Sequence, residues 1–176
     1  MTKKALLIID AQNGVLTGSR PCHEVPAILE RIAALTAKAR AEGIPVLYVQ
    51  DDDVGPEGSD AWQIAAAVAP QPGEIIVRKT ACDAFYGTNL DAILKEQGIE
   101  HLVIAGAKTE YCIDSAVRRA TTLGYNVTLV GDAHTTSDTS VLPAVAVIAH
   151  ANRLFDGFDN LANWSEVVNA ADVDFK

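Results

Sequence analysis

Three residues whose side chains can carry out acyl transfer, Asp10, Lys79 and Cys112, each follow a short apolar run of this sequence. A cysteine thiolate attacks carbonyl carbon, and a carboxylate within reach can take the thiol proton and later return it to a leaving group. A lysine ammonium beside the sulfur, and a position at the start of a helix, both favour the thiolate. The three residue types are therefore sufficient for acyl transfer through a covalent thioester.

Each of these residues also has an interpretation without catalysis. An Asp after a strand often caps a turn, a Lys there is commonly a solvated charge, and a Cys at a helix start is often a small buried hydrophobe. Their common position favours chemistry, because the ligand site of an open parallel sheet lies beyond the carboxyl ends of its strands.

The elements that must position these residues alternate between strand and helix. Short apolar runs predict strands at Ala5–Ile9, Val46–Val49, Ile75–Val77, Leu102–Ala105 and Val127–Val130, with another near Glu166–Val168. Apolar residues at helical spacing, most of them closed by Gly, predict helices over Val25–Ala41, Leu90–Gln97, Tyr111–Leu123 and about Thr139–Asn152. This alternation predicts one domain over residues 1–176: a three-layer α/β/α sandwich with a mostly parallel, about six-stranded Rossmann-like sheet.

Composition and charge limit the kinds of molecule that we expect this protein to bind. A net charge of −9 disfavours nucleic-acid binding, and no apolar run approaches the roughly 20 residues of a membrane-spanning helix. The cysteines, Cys22, Cys82 and Cys112, form no CxxC pair, which disfavours a disulfide framework or a zinc ribbon and fits a reducing cytoplasm. We expect a cytoplasmic protein that acts on a small molecule.

An ordered set of segments over about residues 5–150 resembles the isochorismatase-like cysteine hydrolase superfamily. The segments are Leu7–Asn13, Gly58–Trp62, Lys79, Ala84–Leu90, Gly106–Ile113, Ala116–Ala120, Gly124–Val127 and Asp132–Ala133. The resemblance implies a nucleophilic Cys112, an Asp10 base and a Lys79 that holds their charges. It also implies a cis peptide between Ala107 and Lys108, which turns the backbone N–H groups of Lys108 and Cys112 towards an oxyanion.

The sequence departs from relatives of this superfamily at two places. The nicotinamidases carry an Asp and two His that bind a metal after the second strand, whereas this chain has Gln50–Gly55, which contains three acids and no His. We therefore expect no metal and no other cofactor, and nicotinamide is disfavoured as the substrate. Lys108 stands where the superfamily usually has a small or apolar residue, and its side chain is either exposed or in contact with the substrate.

Five further residues are candidates for the substrate pocket. Their alternative role is structural: core packing for the aromatic residues and helix capping for the histidine. The candidates are Gln12, Trp62, Phe85, Tyr111 and His134.

We therefore predict a hydrolase that cleaves a C–N bond of a small amide, urea or carbamoyl compound. The alternatives are an enzyme of the same fold that acts on an ester or enol ether, and a relative that binds a small molecule without catalysis. A homo-oligomer, dimer or tetramer, is expected from the resemblance, and the apolar stretch Val141–Ile148 is its candidate interface.

Overall fold

The computed structural model describes residues 2–175 and contains a central sheet with helices on both faces. The strands are β1 (Lys4–Ile9), β2 (Val46–Asp51), β3 (Ile75–Lys79), β4 (His101–Ala107), β5 (Asn126–Thr135), β6 (Phe158–Asn160) and β7 (Asn163–Val168). The helices are α1 (Asn13–Thr17), α2 (Val25–Ala41), α3 (Leu90–Glu96), α4 (Asp114–Leu123) and α5 (Ala144–Phe155). Short 3₁₀ turns lie at Asp52–Val54, Ala66–Val68 and Ala170–Asp172. No helix within residues 2–175 is long and apolar enough to cross a bilayer.

The seven strands form one sheet in the order β3-β2-β1-β4-β5-β7-β6. Every neighbouring pair is parallel except the β6–β7 hairpin at the edge. Strand β1 is central, and Ala5–Ile9 are all fully buried, as a strand covered on both faces requires. The predicted three-layer α/β/α sandwich is confirmed, with one more strand than expected.

Alternate residues of β1 supply two hydrophobic cores. Leu7 and Ile9 face the core formed with α3, α4 and α5, whereas Leu6 and Ile8 face the core formed with α1 and α2. Because side chains alternate across a strand, one apolar run of five residues serves both layers.

The last helix begins later than the sequence predicts. We expected a helix over about Thr139–Asn152, but α5 begins at Ala144 and continues to Phe155. Pro143 precedes the first turn, and the Asp138 carboxylate accepts a hydrogen bond of 2.7 Å from the Ala144 N–H. The Thr139 hydroxyl oxygen accepts bonds from the N–H groups that follow it, which makes a local turn instead of a helical one.

Strand β5 is longer than the predicted Val127–Val130. Its second half pairs with β4 beyond an irregularity in register, so that Gly106 lies opposite His134 and Ala107 opposite Thr135. Glycine and polar residues end the apolar pattern at Gly131, although the backbone pairing continues to Thr135. Strand β6 was not predicted, because three residues are too few to show an alternation of apolar and polar side chains.

Candidate active site

The chemistry-bearing residues meet at the carboxyl edge of the sheet. Asp10 follows β1, Asp51 and Lys79 end β2 and β3, and Cys112 lies in the turn after β4. Because β3, β2, β1 and β4 are consecutive parallel neighbours, their carboxyl ends lie side by side.

The Lys79 ammonium is the centre of this cluster. Its Nζ lies 2.9 Å from Asp10 Oδ2, 2.5 Å from Asp51 Oδ2 and 3.4 Å from Cys112 Sγ. The Lys79 side chain is fully buried, and Asp10 is nearly so. The three residues named from sequence are therefore in contact, and a second carboxylate joins them.

Asp51 is a further residue of the site. From the sequence it was only one of three acids in the segment Gln50–Gly55. It lies opposite Lys79 in the β2–β3 register, which brings its carboxylate to the ammonium. Like Asp10, it comes directly after the buried residues of a strand, and this position could have identified it as a site residue. The two acids that follow turn away, since Asp52 binds the Arg78 guanidinium and Asp53 donates its N–H to Asp51.

Burial controls the charge on Asp10. Desolvation raises the pKa of this carboxyl to about 6, although the Lys79 charge and the contact with Cys112 act in the opposite direction. Its backbone has a left-handed φ of 48°, and its N–H donates to the Val49 carbonyl over 3.0 Å. At neutral pH Asp10 is ionised with a proton affinity well above that of an ordinary aspartate, which suits a general base.

Cys112 lies in a π-helical turn, Thr109–Ile113, and not at the start of the α-helix predicted over Tyr111–Leu123. The Ile113 N–H reaches back five residues to the Lys108 carbonyl over 3.2 Å, and α4 begins only at Asp114. Burial and the nearby Asp10 charge raise the pKa of the Cys112 thiol, although Lys79 opposes them. The expectation that the helix start and Lys79 lower the pKa of this thiol is thus corrected, because burial and Asp10 outweigh them. The sulfur rests as a thiol beside a carboxylate able to take its proton, as the predicted role of Asp10 as the base requires.

The peptide between Ala107 and Lys108 is cis in the structure. It lies between the last residue of β4 and the turn that carries Cys112. The resemblance gives the N–H groups of Lys108 and Cys112 the role of oxyanion donors, and this role remains a prediction.

A cavity of about 210 Å³ opens above the cluster. Its depth holds the carboxylates and the sulfur, and its rim holds a second thiol, a lysine and an aromatic side chain. The residues that line it are Asp10, Val15, Asp51, Cys82, Lys108, Tyr111 and Cys112.

Of the five predicted pocket residues, Tyr111 lines this cavity, with half of its surface exposed. Gln12 does not: it is fully buried, and both hydrogens of its amide are donated to the carbonyls of Asp51 and Trp62 over 2.9 Å. Its Oε1 accepts from the Asp51 N–H. We correct its role from substrate contact to fixing the end of β2.

The other two aromatic candidates are engaged elsewhere. Trp62 donates its indole N–H to Asp52 over 3.1 Å and lies under the Arg78 guanidinium at 4.8 Å. Phe85 is buried and stacks on Tyr125 with ring centroids 6.2 Å apart. Neither lines the cavity around Cys112, so the structural interpretation is the better one for both.

His134 is completely buried behind the cysteine turn. Its Nε2 lies 2.8 Å from Asn152 Oδ1, and its Nδ1 lies 2.9 Å from the Thr109 hydroxyl. Burial lowers the pKa of the imidazole, so the ring is neutral. Because the amide oxygen only accepts, we assign the proton to Nε2, and Nδ1 then accepts from Thr109. His134 supports the turn that carries Cys112, and its predicted contact with substrate is corrected.

Asp10, Asp51 and Cys112 offer three donor atoms of metal-ligating type that lie within 4.8 Å of one another. All three contact Lys79 Nζ, so an ammonium already supplies the positive charge that they share. The arrangement suits a buried acid, base and nucleophile whose charges are held by a fixed cation.

Comparison with known proteins agrees with this fold. Residues 4–155 match the isochorismatase domain, and the chain belongs to the isochorismatase family. It is 33% identical to a crystallised isochorismatase family protein, with a TM-score of 0.87 over 94% of this chain and 98% of the other.

The relatives with named activities include two hydrolases of different substrates. A streptothricin hydrolase of Streptomyces noursei is 35% identical over 148 residues, which cover 81% of this chain. The match covers 53% of that relative, so this chain spans about half its length. A maleamate amidohydrolase of Pseudomonas putida is 32% identical over 159 residues, which cover 75% of this chain and 74% of that protein.

Proposed function

We propose that this protein is a cysteine hydrolase that cleaves the C–N bond of a small amide, urea or carbamoyl compound. The observation that carries the proposal is the contact of Lys79 Nζ with both Asp10 Oδ2, at 2.9 Å, and Cys112 Sγ, at 3.4 Å, below one cavity. The names of the two relatives support hydrolysis, and the amidohydrolase supports an amide bond.

The first half of the reaction forms a thioester. As the substrate carbonyl approaches, Asp10 takes the thiol proton and Cys112 Sγ bonds to the carbonyl carbon. The N–H groups of Lys108 and Cys112 stabilise the oxyanion. Asp10 then gives its proton to the nitrogen of the leaving group, the C–N bond breaks, and an amine or ammonia departs.

The second half hydrolyses the thioester. Asp10, again a carboxylate, takes a proton from water, and the hydroxide attacks the acyl carbon. The C–S bond breaks, the proton returns to sulfur, and the acid product leaves. Lys79 keeps its proton throughout, because its contacts with Asp10 and Cys112 raise its pKa even though burial opposes them.

The test is a screen of small amides, ureas and carbamoyl compounds for release of ammonia or amine, with mass spectrometry of the protein during turnover. We expect an acyl adduct on Cys112, and Cys112→Ala should reduce turnover about a thousandfold or more. Cys82→Ala is the matched control, because Cys82 lines the same cavity but, unlike Cys112, is not hydrogen-bonded to Lys79, and it should retain activity.

The alternatives give different outcomes in the same experiment. An enzyme acting on an enol ether would form no adduct on Cys112 and would turn over only when enol ethers are added to the screen. A binding protein would show no turnover, and full activity of Cys112→Ala would contradict the mechanism.

A further inference from the structure

Lys108 lines the cavity beside Tyr111 and Cys112, and the proposed mechanism does not use its cationic side chain. Its backbone has a predicted role in the oxyanion hole, whereas its side chain has none. We propose, on the basis of the proposed function, that the Lys108 ammonium selects substrates that carry a carboxylate in addition to the bond that is cleaved.

The partners of Lys108 leave its charge unmatched. Nζ lies 2.8 Å from Ser137 Oγ and 3.4 Å from the Arg20 carbonyl oxygen, and both partners are neutral. Within residues 2–175 the side chain is in no salt bridge, although Glu110 is only two positions away in the chain. An ammonium has three N–H donors, and these contacts use two of them, so one donor remains for a ligand.

Lys79 lies below this cavity without lining it, and its electrostatic situation is different. Its ammonium contacts the carboxylates of Asp10 and Asp51, so its charge is already compensated. A substrate carboxylate that approached Lys79 would meet these two anions. Lys108 is therefore the cation of the cavity that can attract an anionic group.

The position of the Lys108 side chain is fixed before a ligand arrives. Ser137 is buried, and its hydroxyl donates to the Arg20 carbonyl over 2.7 Å while its oxygen accepts from Lys108. These contacts hold the ammonium against the loop after α1. A charge held in place loses little side-chain entropy when it binds an anion, which makes it a selective contact.

The test compares two alkylating reagents of similar size and the same leaving group, iodoacetate and iodoacetamide. The rate constants for Cys112 are measured by mass spectrometry, and their ratio reports the charge preference because the thiol is the same for both reagents. We expect the ratio of iodoacetate to iodoacetamide to fall about fivefold in Lys108→Met, the upper range for a partly exposed ion pair.

Two variants separate the local effect from general ones. Lys108→Arg keeps the charge and should keep most of the preference for iodoacetate. Lys3→Met removes one positive charge at an exposed position outside the cavity, and it should leave the ratio unchanged. A structural role for Lys108 would change both rate constants together and leave their ratio the same.

The outcomes also separate this inference from the proposed function. If Cys112 reacts with both reagents and the ratio is equal in the wild type and in Lys108→Met, only the role of Lys108 is overturned. If neither reagent labels Cys112 while Cys82 reacts, the proposed function fails, and the selectivity assigned to Lys108 fails with it.

Discussion

Asp10 is a buried carboxylate whose environment raises its pKa and so favours its protonated form. Desolvation is the largest influence on its pKa and exceeds the opposing effect of the Lys79 ammonium. The ionised form is therefore less stable in the folded protein than in the unfolded chain. This exchange of stability for reactivity is common at active sites.

A stability measurement tests this charge state. The pKa of Asp10 is about 6 in the folded protein and 3.8 in the reference state, so the folded state binds the proton more tightly. The stabilisation is therefore fully present below pH 3.8 and is lost as the pH rises through about 6. The asparagine side chain of an Asp10→Asn variant does not titrate, so the variant lacks this pH-dependent contribution.

We expect the melting temperature of Asp10→Asn to increase relative to the wild type as the pH is raised from 4 to 7. Thermal unfolding of both proteins at several pH values measures this difference. A constant difference would show that Lys79 balances desolvation, and a decreasing one would show that Lys79 outweighs it; either would contradict the raised pKa.

The roles of individual residues could be predicted from the sequence where they depend on position relative to a strand. Asp10, Lys79 and Cys112 were candidates because each follows a buried run, and parallel strands bring such residues to one edge. The resemblance to the isochorismatase-like superfamily then favoured catalysis over their structural roles. The roles of Gln12 and His134 were not predictable, because they depend on which carbonyl, amide or hydroxyl groups meet them after folding.

At the scale of elements, strand β4 determines where Cys112 lies. Gly106 has a φ of 127°, and an added Cβ would lie 2.0 Å from the Ile9 carbonyl oxygen. Glycine therefore permits the close approach of β4 to the end of β1, directly before the cysteine turn.

Gly106→Ala should destabilise the fold by about 3 kcal/mol or more, because the substitution combines an unfavourable φ with overlap of backbone atoms. Gly43→Ala is the control: Gly43 also has a positive φ, 70°, but no atom within 4 Å of an added Cβ. Its cost should be about 1 kcal/mol. Urea unfolding of both variants measures the difference, and equal losses would contradict the role of close packing at Gly106.

Element types were better predicted than element ends. Periodicity predicted α2 with its observed bounds, whereas the turn Thr109–Ile113 adopts π-helical hydrogen bonding that apolar spacing cannot distinguish from an α-helix. Hydroxyl and carboxylate side chains similarly moved the start of α5 to Ala144.

At the scale of the whole molecule, the order of the strands explains why the site lies where it does. The central strands β1 and β4 bring Asp10 and the cysteine turn together, and β2 and β3 add Asp51 and Lys79 from one side. The alternation of strand and helix predicted a parallel sheet with the site at the carboxyl ends of its strands, whereas the order of the strands was not predicted. The β6–β7 hairpin lies at the opposite edge and does not contribute to the site.

The predicted homo-oligomer remains a prediction. Val141 and Val145, at the start of the candidate interface, are 84% and 58% exposed. We expect light scattering after size exclusion to give a mass of at least twice 18.7 kDa, and Val145→Lys to lower it. A wild-type mass of one chain would contradict the prediction.

The central claim is that Asp10 takes the proton from Cys112. The most direct test is the pH dependence of Cys112 alkylation by iodoacetamide in the wild type and in Asp10→Asn, with Cys82 as the internal reference. Because protonated Asp10 accepts no proton, the wild-type rate at Cys112 should rise as the pH passes through about 6. This rise should be absent in Asp10→Asn, while Cys82 reacts equally in both proteins. The same profile at Cys112 in both proteins would contradict the account.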